Sequence, residues 1–304
     1  MLMQDHGSMP DPHLDPLPLR LVELSGVQLE YLTAVLDRWF KTHGLVNSLT
    51  TKVVSVFMQY CSPASACDVG LALAAEYLMW FFAIDDMPDG LEKLSVLTEI
   101  RLVLQGHPSR DDSLLKATFD LRSRVLHAFG EVETGRFFRS LDLLLAAFLW
   151  ETERAVDTPP VTLYRKNREH TIAVYPYIEL FRLAERAQPS QTVWPLLCAL
   201  EKLCVEIIYL TNDVLSVKRD LRKKNHNLVI SLACESEVTY EEALSQAISL
   251  LKRATDEFLV AQNEILRTEA LEERTRKYVD YLGNISEGNR LATVILAERY
   301  LGNG

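Results

Sequence analysis

Two stretches of this sequence place oxygen-bearing side chains where they could share a cation. The first follows the apolar run Trp80-Phe81-Phe82-Ala83-Ile84, which leads directly into Asp85-Asp86-Met87-Pro88-Asp89-Gly90. Pro88 disfavours helical geometry at Met87, so a helix is expected to end near Asp86. Asp85 and Asp86 then sit at the helix end that carries negative partial charge, where cations are preferred. The two carboxylates also repel one another beside an aromatic core, and a cation would complete the arrangement. Oxygen ligands of this kind suit Mg2+ that keeps several waters and binds a substrate phosphate. A solvated acidic turn would read the same way, since paired aspartates are common.

The second stretch is Leu210-Thr211-Asn212-Asp213-Val214-Leu215-Ser216-Val217-Lys218-Arg219-Asp220. Asn212, Ser216 and Asp220 stand at i, i+4 and i+8, so on a helix they share one stripe with steps of about 6 Å in rise. An amide, a hydroxyl and a carboxylate in line offer three oxygens to a hard cation. A polar stripe facing solvent is the other reading, and such spacing also arises by chance.

Other chemistry is less well supported. The five cysteines form no C-x-x-C pair and no Cys/His cluster with zinc spacing, which points to buried free thiols in a reducing compartment. Asp111-Asp112 follows a Pro-Ser-Arg turn and reads as a solvated helix start. His127 and His170 have no catalytic context in the sequence. The net charge of −10 and a pI near 5.3 disfavour nucleic acid as a partner.

The elements that must position these residues read as helices. Gly and Pro number only 12 each in 304 residues, which argues against a many-turned β architecture. Apolar residues recur every three to four positions, as at Leu244, Ile248, Leu251, Ala254 and Phe258, behind a Thr239–Glu242 capping box. Helices are expected over about 27–42, 49–60, 65–86, 91–104, 112–129, 133–156, 162–185, 193–222 and 270–300, with breaks at Pro63, Pro88-Gly90, Gly106-Pro108, Pro159-Pro160 and Pro189. Val53, Val54 and Val56 would suit a strand, but no partner strand is near. The apolar stretch Leu71 to Ile84 is short of the roughly 20 residues that span a bilayer and contains Glu76, so it reads as a buried helix. Residues 1–18 lack an apolar core and read as a disordered tail rather than a targeting signal. The expectation is a soluble, cytoplasmic protein with one all-α domain of about ten helices over 19–304.

D-D-x-x-D at Asp85, Asp86 and Asp89, followed by N-D-x-x-S-x-x-R-D from Asn212 to Asp220, resembles the paired metal-binding motifs of class I terpene cyclases. Their separation of about 127 residues matches the microbial single-domain members. Tyr164 to Thr171, with Pro176 beyond, resembles the stretch that bears a diphosphate-sensing arginine; Arg168 aligns best and Arg165 second. Arg299-Tyr300 matches the family's C-terminal pair, and Asn225-His226-Asn227-Leu228-Val229 resembles the run after the second motif in fungal members. Two departures stand out: Asp220 replaces the commoner Glu, and the segment 291–296 lacks a tryptophan that many relatives carry.

The resemblance implies a helical bundle around an apolar cavity and a reaction in which Mg2+, three ions in the family, and the enzyme ionise an isoprenoid diphosphate. Farnesyl diphosphate is the favoured substrate and geranylgeranyl diphosphate the alternative. Asp85, with Asp86 and Asp89 as weaker candidates, would serve the metals from one side and Asn212, Ser216 and Asp220 from the other. Arg168, Arg219 or Lys218, Arg299 and Tyr300 would bind diphosphate oxygens. Phe57, Phe81, Phe82, Trp150 and Tyr209 are candidates for the cavity wall, where aromatic faces attract cations by about 0.5–2 kcal/mol, although packing alone also explains such residues. A homodimer is compatible with the resemblance. A prenyl diphosphate synthase would carry a second D-D-x-x-D, a protonation-initiated cyclase a D-x-D-D motif, and a helical scaffold neither; the ordered motifs favour the class I cyclase.

Overall fold

Local signals write most of the helix boundaries. In a computed structural model, which describes residues 14–45, 48–108, 110–154, 158–268 and 271–296, Ser25 and Gln28 form a capping box that opens α1 (Gly26–His43), and Gly44 closes it in the left-handed region. α2 (Ser48–Cys61) absorbs the valines that would have suited a strand. α3 (Asp68–Asp85) is buried nearly all round and ends with Asp86 as its cap, where Pro88 was expected to stop it. α4 (Leu91–Leu104) is followed by α5 (Ser113–Phe129), whose cap Asp112 accepts from the backbone of Leu114 and Leu115. Then come α6 (Gly135–Glu153), α7 (Val161–Thr171), α8 (Val174–Ala184), α9 (Trp194–Lys223) and α10 (Leu228–Ser236). α11 (Tyr240–Leu266) starts at the Thr239–Glu242 capping box, and α12 (Glu273–Ile295) is the last described helix. The described residues hold these twelve helices and no strand. None is long and apolar enough to cross a membrane.

α9 is the spine: it packs on α11, α12 and α10, while α3 packs on α1, α8, α5 and α2. α2, α3, α7, α8, α9 and α12 all contribute to the wall of one cavity between them. α12 approaches α2 closely at Gly288, where a Cβ would stand 2.0 Å from the Tyr60 carbonyl oxygen.

Several expectations need correction. The single helix over 162–185 is two, broken at Ile172 and Ala173. Ala173 sits at φ 63°, and its carbonyl accepts a 2.8 Å hydrogen bond from the Tyr77 hydroxyl. The cause is Pro176, which has no N–H for the Ile172 carbonyl and so cannot extend α7. α10 was not foreseen; Asn227 caps it by accepting from Val229 N at 2.9 Å. The last described helix ends at Ile295, and Arg299 and Tyr300 lie outside the described residues.

Residues 14–18, expected in a disordered tail, are docked on α12. Leu14 is buried, its carbonyl accepts from Arg290, and Leu17 N donates to Glu287 Oε2 at 2.9 Å. The buried Glu287–Arg290 pair supplies polar partners that the composition of the segment does not reveal. The remainder of the expected tail, 1–13, is outside the described residues. All five cysteines are free, but only Cys61 and Cys204 are buried; Cys67, Cys198 and Cys234 are exposed.

Candidate active site

The cavity, about 160 Å³ in volume, joins the two acid-bearing stretches to an aromatic wall. Asp85 from the end of α3, Arg168 from α7, and Asn212 and Arg219 from α9 all line it. So do Phe57, Phe81 and Phe82, whose rings stand in mutual contact: 6.1 Å separates the centroids of Phe57 and Phe82, and 5.1 Å those of Phe81 and Phe82. Positions 127 residues apart in sequence therefore meet because α3 and α9 both run to this cavity.

On α9, the stripe is real and largely buried. Ser216 Oγ donates to Asp220 Oδ2 at 2.5 Å, and Arg219 donates to Asp220 Oδ1 through Nε at 2.9 Å and Nη2 at 2.7 Å. Asn227, ahead of α10, donates from Nδ2 to Asp220 Oδ2 at 3.0 Å, to Ser216 Oγ at 3.4 Å and to the Asp213 carbonyl at 2.9 Å. Asn212 Oδ1 accepts from Arg168 Nη2 at 2.7 Å.

Arg168 is held from behind by Asp213, which lies off the stripe and is itself buried. Arg168 Nε donates to Asp213 Oδ1 at 3.0 Å, while the Tyr164 hydroxyl and Leu228 N donate to Asp213 Oδ2 at 2.6 and 3.1 Å. Burial pushes the Asp213 carboxyl up, against the Arg168 guanidinium, which draws it down. Burial disfavours the Arg168 charge too, yet Asp213, Tyr164 and Glu151 outweigh it and hold the guanidinium above its ordinary value. Arg165 points elsewhere: it pairs with Glu206 at 2.5 Å and donates to the Tyr209 hydroxyl at 3.0 Å.

The acidic end of α3 is divided. Asp85, Asp86 and Asp89 are all exposed, and of the three only Asp85 lines the cavity. Asp89 Oδ1 is engaged by Lys93 Nζ at 3.1 Å and Thr152 Oγ1 at 3.4 Å. Nearby on α6, desolvation pushes the Glu151 carboxyl up to about 7; Arg168 opposes the shift and Asp85 adds to it.

Two aromatic expectations do not reach the cavity. Trp150 packs its ring 5.8 Å from that of His226, and buried Tyr209 serves Arg165; neither lines the wall, and Lys218 does not either. A side chain's position on a helix near the site does not reveal which way it turns. Asp213, Tyr164, Glu151 and Asn227 were given no role as site residues; Asp213, Tyr164 and Asn227 stand inside the stretches that carry the resemblance, whereas Glu151 carries no signal.

Whether these residues fit a metal is a matter of donor chemistry. Among the described residues no group of three or more His, Cys, Asp or Glu stands together to hold an ion. Asn212, Ser216 and Asp220 offer oxygen donors from one face of α9; Asn212 lines the cavity with Asp85, and Ser216 and Asp220 stand hydrogen-bonded to each other further along the same face. That set suits a hard divalent cation.

The fold and this donor set agree with comparison to known proteins. Residues 76–257 match the family model described as terpene synthase family 2, C-terminal metal binding, so the chain belongs to the terpene synthases, lyases whose domain here is a metal-binding one. It is 28% identical over 252 residues to the (+)-eremophilene synthase of Sorangium cellulosum, covering 78% of this chain and 76% of that protein. It is 30% identical over 203 residues, 62% of each chain, to the (+)-T-muurolol synthase of Roseiflexus castenholzii, named as (2E,6E)-farnesyl diphosphate cyclizing. The linalool/nerolidol synthase structure from Streptomyces clavuligerus superposes with a TM-score of 0.79 at 20% identity, over 91% of this chain and 99% of that one, a likeness of fold.

Proposed function

We propose that this terpene synthase is a class I cyclase that takes farnesyl diphosphate with Mg2+, three ions by family resemblance, and releases diphosphate and a cyclic terpenoid. The observation that carries the reading is the single cavity: oxygen donors and arginines on its rim, phenylalanines on its wall. The named activities of the relatives favour a C15 substrate. A cytoplasmic setting fits five unpaired thiols.

Asn212, Ser216 and Asp220 would hold metal from α9, and Asp85 from α3. Asp86 and Asp89 would assist from the α3 end, Asp89 by keeping Lys93 close. Bound divalent metal supplies positive charge that stabilises the departing diphosphate. Arg168 and Arg219 line the same rim and would hold diphosphate oxygens by charge-assisted hydrogen bonds, with Arg299 and Tyr300 assigned the same role by resemblance alone. Because Arg168 Nη2 already holds Asn212 Oδ1, an arriving anion would draw the arginine off and free that oxygen for metal. Phe57, Phe81 and Phe82 would then face the carbocation without offering a nucleophile.

Incubation with farnesyl diphosphate and Mg2+, with geranylgeranyl diphosphate as a parallel arm, followed by gas chromatography of an organic extract, tests the reading. A cyclic C15 product is expected. Product from the longer substrate alone would replace the farnesyl assignment, and no diphosphate release from either would sink the activity.

A further inference from the structure

The cavity wall is largely apolar apart from its rim, and α12 brings a polar side chain to it. Ile285 and Asn289 stand one turn apart on that helix and both line the cavity, far in sequence from either metal-binding stretch. Asn289 Oδ1 is buried and accepts no hydrogen bond, and Thr171 Oγ1, on another side of the same cavity, is likewise buried and unpartnered. Thr171 as a whole is only 3% exposed. The remaining polar groups of the wall are engaged: Arg168, Asn212 and Arg219 in the rim network, and the Tyr177 hydroxyl with Ser62 and Met58. A buried acceptor left without a donor carries a cost comparable to a lost hydrogen bond. Leucine at 289 would avoid that cost in an apolar wall. Buried polar atoms of this kind are ordinarily satisfied by water, provided that the space admits one, and this cavity is large enough to do so.

We propose that Asn289 is a specificity-determining residue whose amide holds a water at the cavity wall, and that this water ends part of the reaction by adding to the carbocation to give a terpene alcohol. The inference rests on the cyclase reading. The water donates one O–H to Asn289 Oδ1, which leaves its oxygen lone pair facing the cavity. That lone pair forms the C–O bond to the cationic carbon, and the resulting oxonium loses one proton to the released diphosphate. Cation plus water thus gives neutral alcohol plus a proton, with no oxidant or reductant. Without the water, the same cation loses a proton from carbon and leaves as an olefin.

The test uses the full-length protein with farnesyl diphosphate and Mg2+ in heavy-oxygen water, and reads the alcohol share of total product beside diphosphate released. Wild type should give a labelled alcohol. Asn289→Leu should lower the alcohol share about five- to tenfold, the worth of one hydrogen bond, with olefin rising in its place. Asn289→Ser, which keeps a hydroxyl, should retain an intermediate share and carries the test if the leucine variant does not fold. A wild type that makes only olefin, or variants with an unchanged alcohol share, overturns the inference while the cyclase reading stands. A wild type that releases no diphosphate instead removes the reading on which the inference rests.

Discussion

Asn227 ties the metal-facing stripe of α9 to the start of α10, so Asn227→Asp probes the site's construction with a change of one atom. The side chain is 1% exposed. Its Oδ1 caps α10, and the substitution keeps that role. Its Nδ2, however, donates to Asp220 Oδ2 at 3.0 Å and to the Asp213 carbonyl at 2.9 Å, and an oxygen there meets two acceptors in place of donating to them. Losing a hydrogen bond to a charged group costs about 1.5–3 kcal/mol. Two like charges 3.0 Å apart add about 5 kcal/mol at an effective dielectric near 20, before relaxation or proton uptake relieves part of it. A net loss of about 4 kcal/mol at pH 8 is expected, which lowers the melting temperature by about 10 °C. At pH 5 one carboxyl of the new pair can take a proton and donate again, so part of the loss should return. Asn227→Ala loses the donors and the cap, worth about 1 kcal/mol, but gains no charge, and should melt above Asn227→Asp at pH 8. Thermal melts of the three proteins at both pH values decide it. An Asn227→Asp protein within about 2 °C of wild type at pH 8, or one unaffected by pH, would refute the reasoning.

Three further outcomes come from the same geometry. The Glu151 carboxyl sits near 7, above its unfolded value, so the folded state holds the proton more tightly. Its contribution is present at low pH and lost as pH rises through about 7. Melts in chelated buffer from pH 5 to pH 8 should therefore decline, and Glu151→Gln should flatten the decline by about 1–3 kcal/mol. Gly288→Ala would force a Cβ into the Tyr60 carbonyl at 2.0 Å, so α12 must move off α2 at a cost of about 3 kcal/mol, read as a lower melting temperature. Arg168→Lys cannot reach Asp213 and Asn212 together through one planar fork, and turnover should fall about 10- to 100-fold in a steady-state assay.

The helices were readable because their signals are local: Ser25, Asp112 and Thr239 cap where their side chains can reach a backbone N–H, and Pro88 ends α3. The break at Ile172–Ala173 was also written, in Pro176, but a proline three residues into a new helix does not by itself say where the preceding helix stops. The meeting of Asp85 with Asn212 was inferred from ordered motifs; no local rule brings α3 and α9 together. What stayed hidden is tertiary. Asp213 sits next to Asn212 in sequence but turns off the stripe to anchor Arg168. Trp150 packs on His226 and Tyr209 accepts from Arg165, and neither is among the residues that line the cavity. Residues 14–17 look like tail until the buried Glu287–Arg290 pair supplies their partners.

The central claim is that the α9 stripe works through divalent metal on an isoprenoid diphosphate, and diphosphate release from farnesyl diphosphate tests it most directly. Wild type, Asn212→Ala and Ser216→Ala should be assayed after exhaustive chelation and again with Mg2+ restored. Each substitution removes one oxygen donor and also a hydrogen bond to a charged neighbour, Asp220 for Ser216 and Arg168 for Asn212, so the metal-free melt should fall by several degrees while the fold persists. The account predicts release by wild type only when Mg2+ is restored, and a loss of orders of magnitude in both variants. Full release by chelated wild type, or wild-type release by both variants, would contradict it.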